Sequence, residues 1–276
     1  MTWKTVGGSP PAALSRARLQ LHWAAQLVSA PGTSMLPPSA DFAHTNLGWE
    51  PKLGVLAGRN VGAEGLRAAL VFESLELAAV DGIRERASMR LSGRTMQDAL
   101  GWLGRELGAD RSKLAVPAHE LPSHPVGAGG VFSDAGPAAR SELAVWFANA
   151  FALIRDIVTD ERSASPVRCW PHHFDVASLI KLDSGASGTE ARSIGIGFSP
   201  GDGSYDQPYF YVTPWPYPQG ADLPPLSGGA QWHLGGWTGV VLTAERVLAA
   251  PRREQVRTVR IALEQGLAAC RELLGS

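Results

Sequence analysis

Between Leu66 and Leu91 the chain reads LRAALVFESLELAAVDGIRERASMRL, and the Asp81-Gly82 pair within it limits the fold more than any other feature. Asp-Gly tolerates the positive φ that two-residue hairpin turns require, so it folds the chain back and pairs its flanks antiparallel. Residues Leu66–Val80 read as one long strand. Ile83–Leu91 reads as its neighbour, because Arg84, Arg86, Ser88 and Arg90 alternate with Ile83, Ala87, Met89 and Leu91. A sheet with one apolar face needs a cover, and helical periodicity elsewhere supplies one.

Apolar stripes at helical spacing predict four helices. The first spans about Leu14–Val28, with Leu19, Trp23 and Leu27 in register, and ends before the proline run Pro31–Pro38. The second, about Thr95–Leu107, starts with Thr95 as cap beside Asp98 and stops at Gly108. The third, about Ala138–Asp160, aligns Leu143, Phe147, Ala150, Ile154 and Val158, and the last covers Pro251–Leu274. Further strands are predicted at Phe42–Leu56 (irregular, with Pro51), Val167–Leu182, Arg192–Ser199, Gln207–Thr213 and Gln231–Leu242.

Runs of strands flanked by helices indicate an α+β fold of mainly antiparallel sheets. Both halves run helix, strands, helix, so two similar halves produced by internal duplication are an open reading. The expected division is an N-terminal α+β half at 1–110, a linker at 111–137 rich in Pro, Gly, Ser and Ala, and a C-terminal half at 138–276, packed as one globular unit.

Composition removes several classes of function. The 276 residues are 45% hydrophobic, enough for a sizeable core, and 25 basic residues nearly balance 26 acidic ones. No net field draws such a chain to nucleic acid or an anionic membrane. No run approaches the roughly 20 apolar residues of a membrane span. The opening MTWKTVGGSPPAAL lacks the apolar core of a signal peptide, and the only cysteines, Cys169 and Cys270, have no zinc or disulfide spacing. A soluble, cytoplasmic protein is expected, and a homo-oligomer is left open. No Gly-rich phosphate fingerprint follows a strand.

Acid/base and ligand chemistry concentrates in SPVRCWPHHFDVASLIKL, Ser165–Leu182, where Trp170, His172, His173, Phe174 and Asp175 crowd together. Read as one regular strand, the run puts Trp170, His172 and Phe174 on an apolar face and His173 and Asp175 on the other. His172 and His173 are then candidate bases, and Asp175 a candidate orienting carboxylate. His173 and Asp175 also make half of a divalent-metal site, which needs three or more ligands.

All four tyrosines fall in SYDQPYFYVTPWPYP, and Tyr209, Tyr211 and Trp215 are candidate walls of a small-molecule cleft. The facing strand alternates Gly195 and Gly197 with Ile194, Ile196 and Phe198, which leaves one face bare for a ligand or a second backbone. Trp232 and His233 in QWHLGGWTG extend the cleft. In the first half His44, Asn46 and Glu50, with His22 beside the first helix stripe, meet the second-half cluster if the halves pair pseudo-symmetrically. His119 and His124 sit in the linker and are expected to be solvated. Two functions follow: a hydrolytic or proton-transfer enzyme built on the His/Asp/aromatic cleft, or a non-catalytic small-ligand-binding or oligomerising protein.

The segments LQLHWAAQLV, ALVFESLELAAVDG, TMQDALGWLGRELG, SPVRCWPHHFDVA and SIGIGFSPGDGSYDQPYFYVTPWPYP resemble those of an uncharacterised bacterial family, a domain of unknown function. Some members are similar with Trp-Gly-Ser-Phe-Asp where this chain has Trp170 to Asp175. The resemblance implies no activity, and it argues against a family-wide catalytic role for His172 and His173.

Overall fold

Residues 3–61, 65–109, 114–183, 191–219 and 222–276 are described by a computed structural model. The elements begin with α1 (Pro11–Met35), β1 (Gly48–Glu50), β2 (Val55–Ala57), β3 (Leu66–Val71), β4 (Glu76–Asp81), β5 (Arg84–Arg90), α2 (Met96–Glu106) and α3 (Pro137–Ile157). They continue with β6 (Arg168–Trp170), β7 (Asp175–Lys181), β8 (Ser193–Ser199), β9 (Tyr209–Trp215), β10 (Gln231–His233), β11 (Gly239–Thr243), α4 (Ala244–Ala249) and α5 (Gln255–Leu274). The fold is α+β, with antiparallel sheets of five and six strands flanked by helices. No described helix is long and apolar enough to cross a membrane.

The chain divides into two compact units, residues 1–7, 145–167 and 175–276 in one and 8–144 and 168–174 in the other. This division differs from the expected 1–110, 111–137 and 138–276. Residues 111–113 lie outside the described residues, but 114–137 belong to the second unit and are tied into it. Gln20 of α1 exchanges two hydrogen bonds with the backbone of Ser133, Trp23 donates to Pro122 O, and Phe132 is buried.

In the unit of 8–144 and 168–174 the sheet is a meander, β1-β2-β3-β4-β5, all antiparallel. The Asp81-Gly82 hairpin is present, with Gly82 at φ 57°. The predicted single strand Leu66–Val80 is instead two strands folded on each other, β3 and β4, because the chain turns at 72–75 with Leu75 at φ 51°. That turn is held by Arg140, which is 0% exposed and donates from Nε to the carbonyls of Phe72 and Glu73. Its other nitrogens bond Asp134 and Ala135. A buried guanidinium with this many acceptors is satisfied, and it outweighs the β propensity of the run it bends.

Helix α1 continues past the expected break and contains Pro31. Proline inside a helix costs about 3 kcal/mol. Burial of Ala24 to Gly32, with Ser29 Oγ donating to Thr45 O, offsets that cost. Helix α2 forms as predicted: Thr95 Oγ1 accepts from Asp98 N and Asp98 Oδ2 from Thr95 N, a capping box.

In the unit of 1–7, 145–167 and 175–276, five of the six strands of the other sheet lie in the order β10-β11-β9-β8-β7. The predicted strand Gln231–Leu242 is corrected to a hairpin, β10 with β11. Phe198 and Phe210 meet Trp146 from one face of the sheet at ring distances of 5.9 and 6.2 Å. Val212 packs on α5, where a Cβ on Gly266 would meet its side chain. Burying each such aromatic is worth about 1.5–3 kcal/mol. The two strand orders differ, one a five-strand meander and the other with β10 outside β11, so the open reading of an internal duplication gains no support.

Candidate functional site

The expected regular strand Val167–Leu182 is corrected: β6 ends at Trp170, residues 171–174 form a turn, and β7 starts at Asp175. Phe174 takes φ 57° while 0% exposed, and its N–H closes the turn on Trp170 O at 2.7 Å. A bulky residue in the left-handed region costs about 1–2 kcal/mol and persists only where surroundings enforce it. Here they do. Phe174 stacks on His22 at 5.3 Å and meets Phe72 at 6.1 Å. The Pro171 carbonyl accepts two hydrogen bonds from α1, from His22 Nε2 at 2.8 Å and Gln26 Nε2 at 2.7 Å. A carbonyl offers no proton, so His22 carries its own on Nε2.

This anchored turn displays the two adjacent imidazoles. His172 is half-buried and His173 exposed, their rings 4.2 Å apart. His119 lies 5.4 Å and Trp170 6.2 Å from His172, and His119, expected to be solvated, is half-buried. Burial, then the neighbouring His173, His119 and His22, push His172 down to about 4. Burial dominates at His22 as well, which is also lowered to about 4. Burial, then His173, lowers His119.

The division between units falls between Phe174 and Asp175. Asp175 belongs to a network on the β7-β8-β9 face, where it accepts from Tyr211 Oη at 2.5 Å. Tyr209 donates to Asp202 at the same distance. His233 Nε2 faces Gly235 O, so Nδ1 of the neutral ring accepts from Tyr205 Oη at 3.0 Å. Trp237 packs 4.2 Å from the His233 ring and 6.4 Å from that of Tyr209. Burial, then Asp202, raises Tyr209, while burial, then Asp175, raises Tyr211 well above the ordinary phenol range.

The face expected to be bare is occupied. Gly197 pairs with Tyr211 and Gly195 with Thr213, and a Cβ on Gly197 would fall on the Tyr211 ring. The glycine admits that ring across its backbone, which replaces the expected ligand groove. Trp232 donates to Pro224 O, and Trp215 packs on Tyr217 at the surface, 39% exposed. His44 is engaged locally by Ser39 and Phe42. Among the described residues no three His, Cys, Asp or Glu side chains form a metal-holding group. Cys169 and Cys270 are buried and form no disulfide, and burial pushes the Cys270 thiol up to about 12.

A cavity of about 530 Å³ lies elsewhere in the unit of 8–144 and 168–174, where of its lining the sequence reading singled out Glu50 alone. Trp49, Glu50, Arg59, Asn60, Arg67 and Arg168 line it. Arg67 reaches it from β3 and Arg168 from β6, and Leu47 and Cys169 form a bridge beside β1. The sequence signal was modest but real: Arg67 interrupts an apolar strand, and Arg168 stands between Val167 and Cys169. No protein-family model matches the chain, and no curated protein and no solved structure matches it either.

Proposed function

We propose that this protein binds a small molecule, and that recognition, not proton transfer, is its role. The observation that carries the reading is the cavity of about 530 Å³ walled by Trp49 and a concentration of polar side chains. Its size falls in the range of small-ligand sites, and its wall is more polar than is usual for them, which points to a charged or polar ligand. The proton-transfer reading has less support. An imidazole pushed to about 4, as His172 is, gains little by taking a proton at neutral pH. Asp175, its expected partner in orienting His173, accepts from Tyr211.

Differential scanning fluorimetry with a small-molecule library tests the reading. A ligand at a hundredfold excess over its Kd stabilises the protein by about 2.7 kcal/mol, an easily read rise in Tm. Hits are expected to bind wild type and to lose affinity in Trp49→Ala. Hits that bind Trp49→Ala as tightly as wild type, or a library without hits, would overturn it.

A further inference from the structure

The charges of the cavity wall name the class of ligand, an inference that rests on the binding reading above. Among the described residues of the wall, Arg59, Arg67 and Arg168 are accompanied by one carboxylate, Glu50, an excess of two positive charges. Glu50 and Arg67 face each other: Oε2 lies 3.7 Å from Arg67 Nη2, with the side chains only 21% and 19% exposed. Arg67 Nη2 also donates to Gly82 O at 2.5 Å, yet its buried Nε has no acceptor among the described residues. Arg59 and Arg168 are neighbours of like charge. Burial and then Arg59 disfavour the charged form of Arg168, and no described carboxylate lies within ion-pair distance of Arg59.

Two half-buried guanidiniums lining one cavity repel each other, and an anion that bridges them replaces the repulsion with attraction. A carboxylate brings one charge in a plane, matched to a single guanidinium fork. A phosphoryl group brings about two charges and three terminal oxygens arranged tetrahedrally, enough for two forks at once. We propose that the cavity takes a phosphate monoester of a small organic molecule. The phosphoryl dianion bridges Arg59 and Arg168, the organic part lies along Trp49, and Glu50 reads a polar substituent on it.

The test is isothermal titration of the full chain at pH 8, where a phosphate monoester is dianionic. Phenyl phosphate, inorganic phosphate, benzoate and succinate are the probes. Phenyl phosphate is expected to bind roughly tenfold or more tightly than benzoate or succinate, and Arg59→Ala and Arg168→Ala each to weaken it by roughly tenfold. Glu50→Gln keeps all three arginines and raises the positive excess, so it is expected to tighten phenyl phosphate. That variant decides the matter if an arginine variant fails to fold.

Benzoate or succinate matching phenyl phosphate overturns the monoester assignment, as does phenyl phosphate binding that ignores both arginine substitutions and Glu50→Gln. If none of the anions binds while library hits still depend on Trp49, the anion inference falls and the binding reading stands. Silence from both sets overturns both.

Discussion

His22 makes the stability of this protein depend on pH in a direction and size that the structure supplies. Its ring is 5% exposed, stacked on Phe174, and titrates at about 4 in the folded chain against 6.5 as its ordinary value. The hydrogen bond to Pro171 O does not oppose protonation, since Nε2 donates in either state; desolvation against Phe174 and the nearby Arg18 and His173 do. The folded pKa is depressed, so between about 4 and 6.5 the unfolded chain holds the extra proton and stability rises with pH. The contribution is complete above pH 6.5 and is lost as pH falls toward 4. Linkage gives a loss of about 2 kcal/mol between pH 7.5 and pH 5, and about 3 kcal/mol by pH 4. Urea unfolding of wild type and His22→Gln across this window isolates the effect, because Gln keeps a donor for Pro171 O and does not titrate. The wild-type midpoint is expected to fall relative to the variant by roughly 1 M urea by pH 5. Curves that stay parallel to within about 0.5 kcal/mol would refute the assignment of the low pKa to burial at this site.

The remaining predictions concern the two sheets. Gly197→Ala drives a methyl onto the Tyr211 ring, whose hydroxyl is held by Asp175. Overpacking and the strained charge-assisted bond together cost about 3 kcal/mol, read as a drop in Tm, and the same change in a Tyr211→Ala background costs far less. Arg140→Leu strips five hydrogen bonds from the 72–75 and 134–135 backbone and the Asp134 side chain, and is expected to destabilise by about 3–5 kcal/mol in chemical denaturation. A loss under 1 kcal/mol would show that the turn at Leu75 holds without it.

Features set by neighbours in sequence were legible in it. The Asp81-Gly82 hairpin, the Thr95/Asp98 capping box and the stripes of α3 and α5 each depend on residues at most a few positions apart, so their pattern is written locally. The antiparallel α+β class follows from them. The breaks in Leu66–Val80 and Val167–Leu182 were not legible, because distant groups impose them: Arg140 on the first, and His22 and Gln26 of α1 on the second. Each run has the alternation of a single strand, and only a buried hydrogen-bond network repays bending it through Leu75 or Phe174 at positive φ. The same holds for the sites. His172 and His173 were found as a motif, yet the half-buried setting of His172 includes His119, some fifty positions away. Arg59, Arg67 and Arg168 share no spacing at all. They line one cavity only because the segment after β2, β3 and β6 bring Arg59, Arg67 and Arg168 to one wall; a charge interrupting an apolar run marks Arg67 and Arg168 singly, but nothing in the sequence groups the three until folding does.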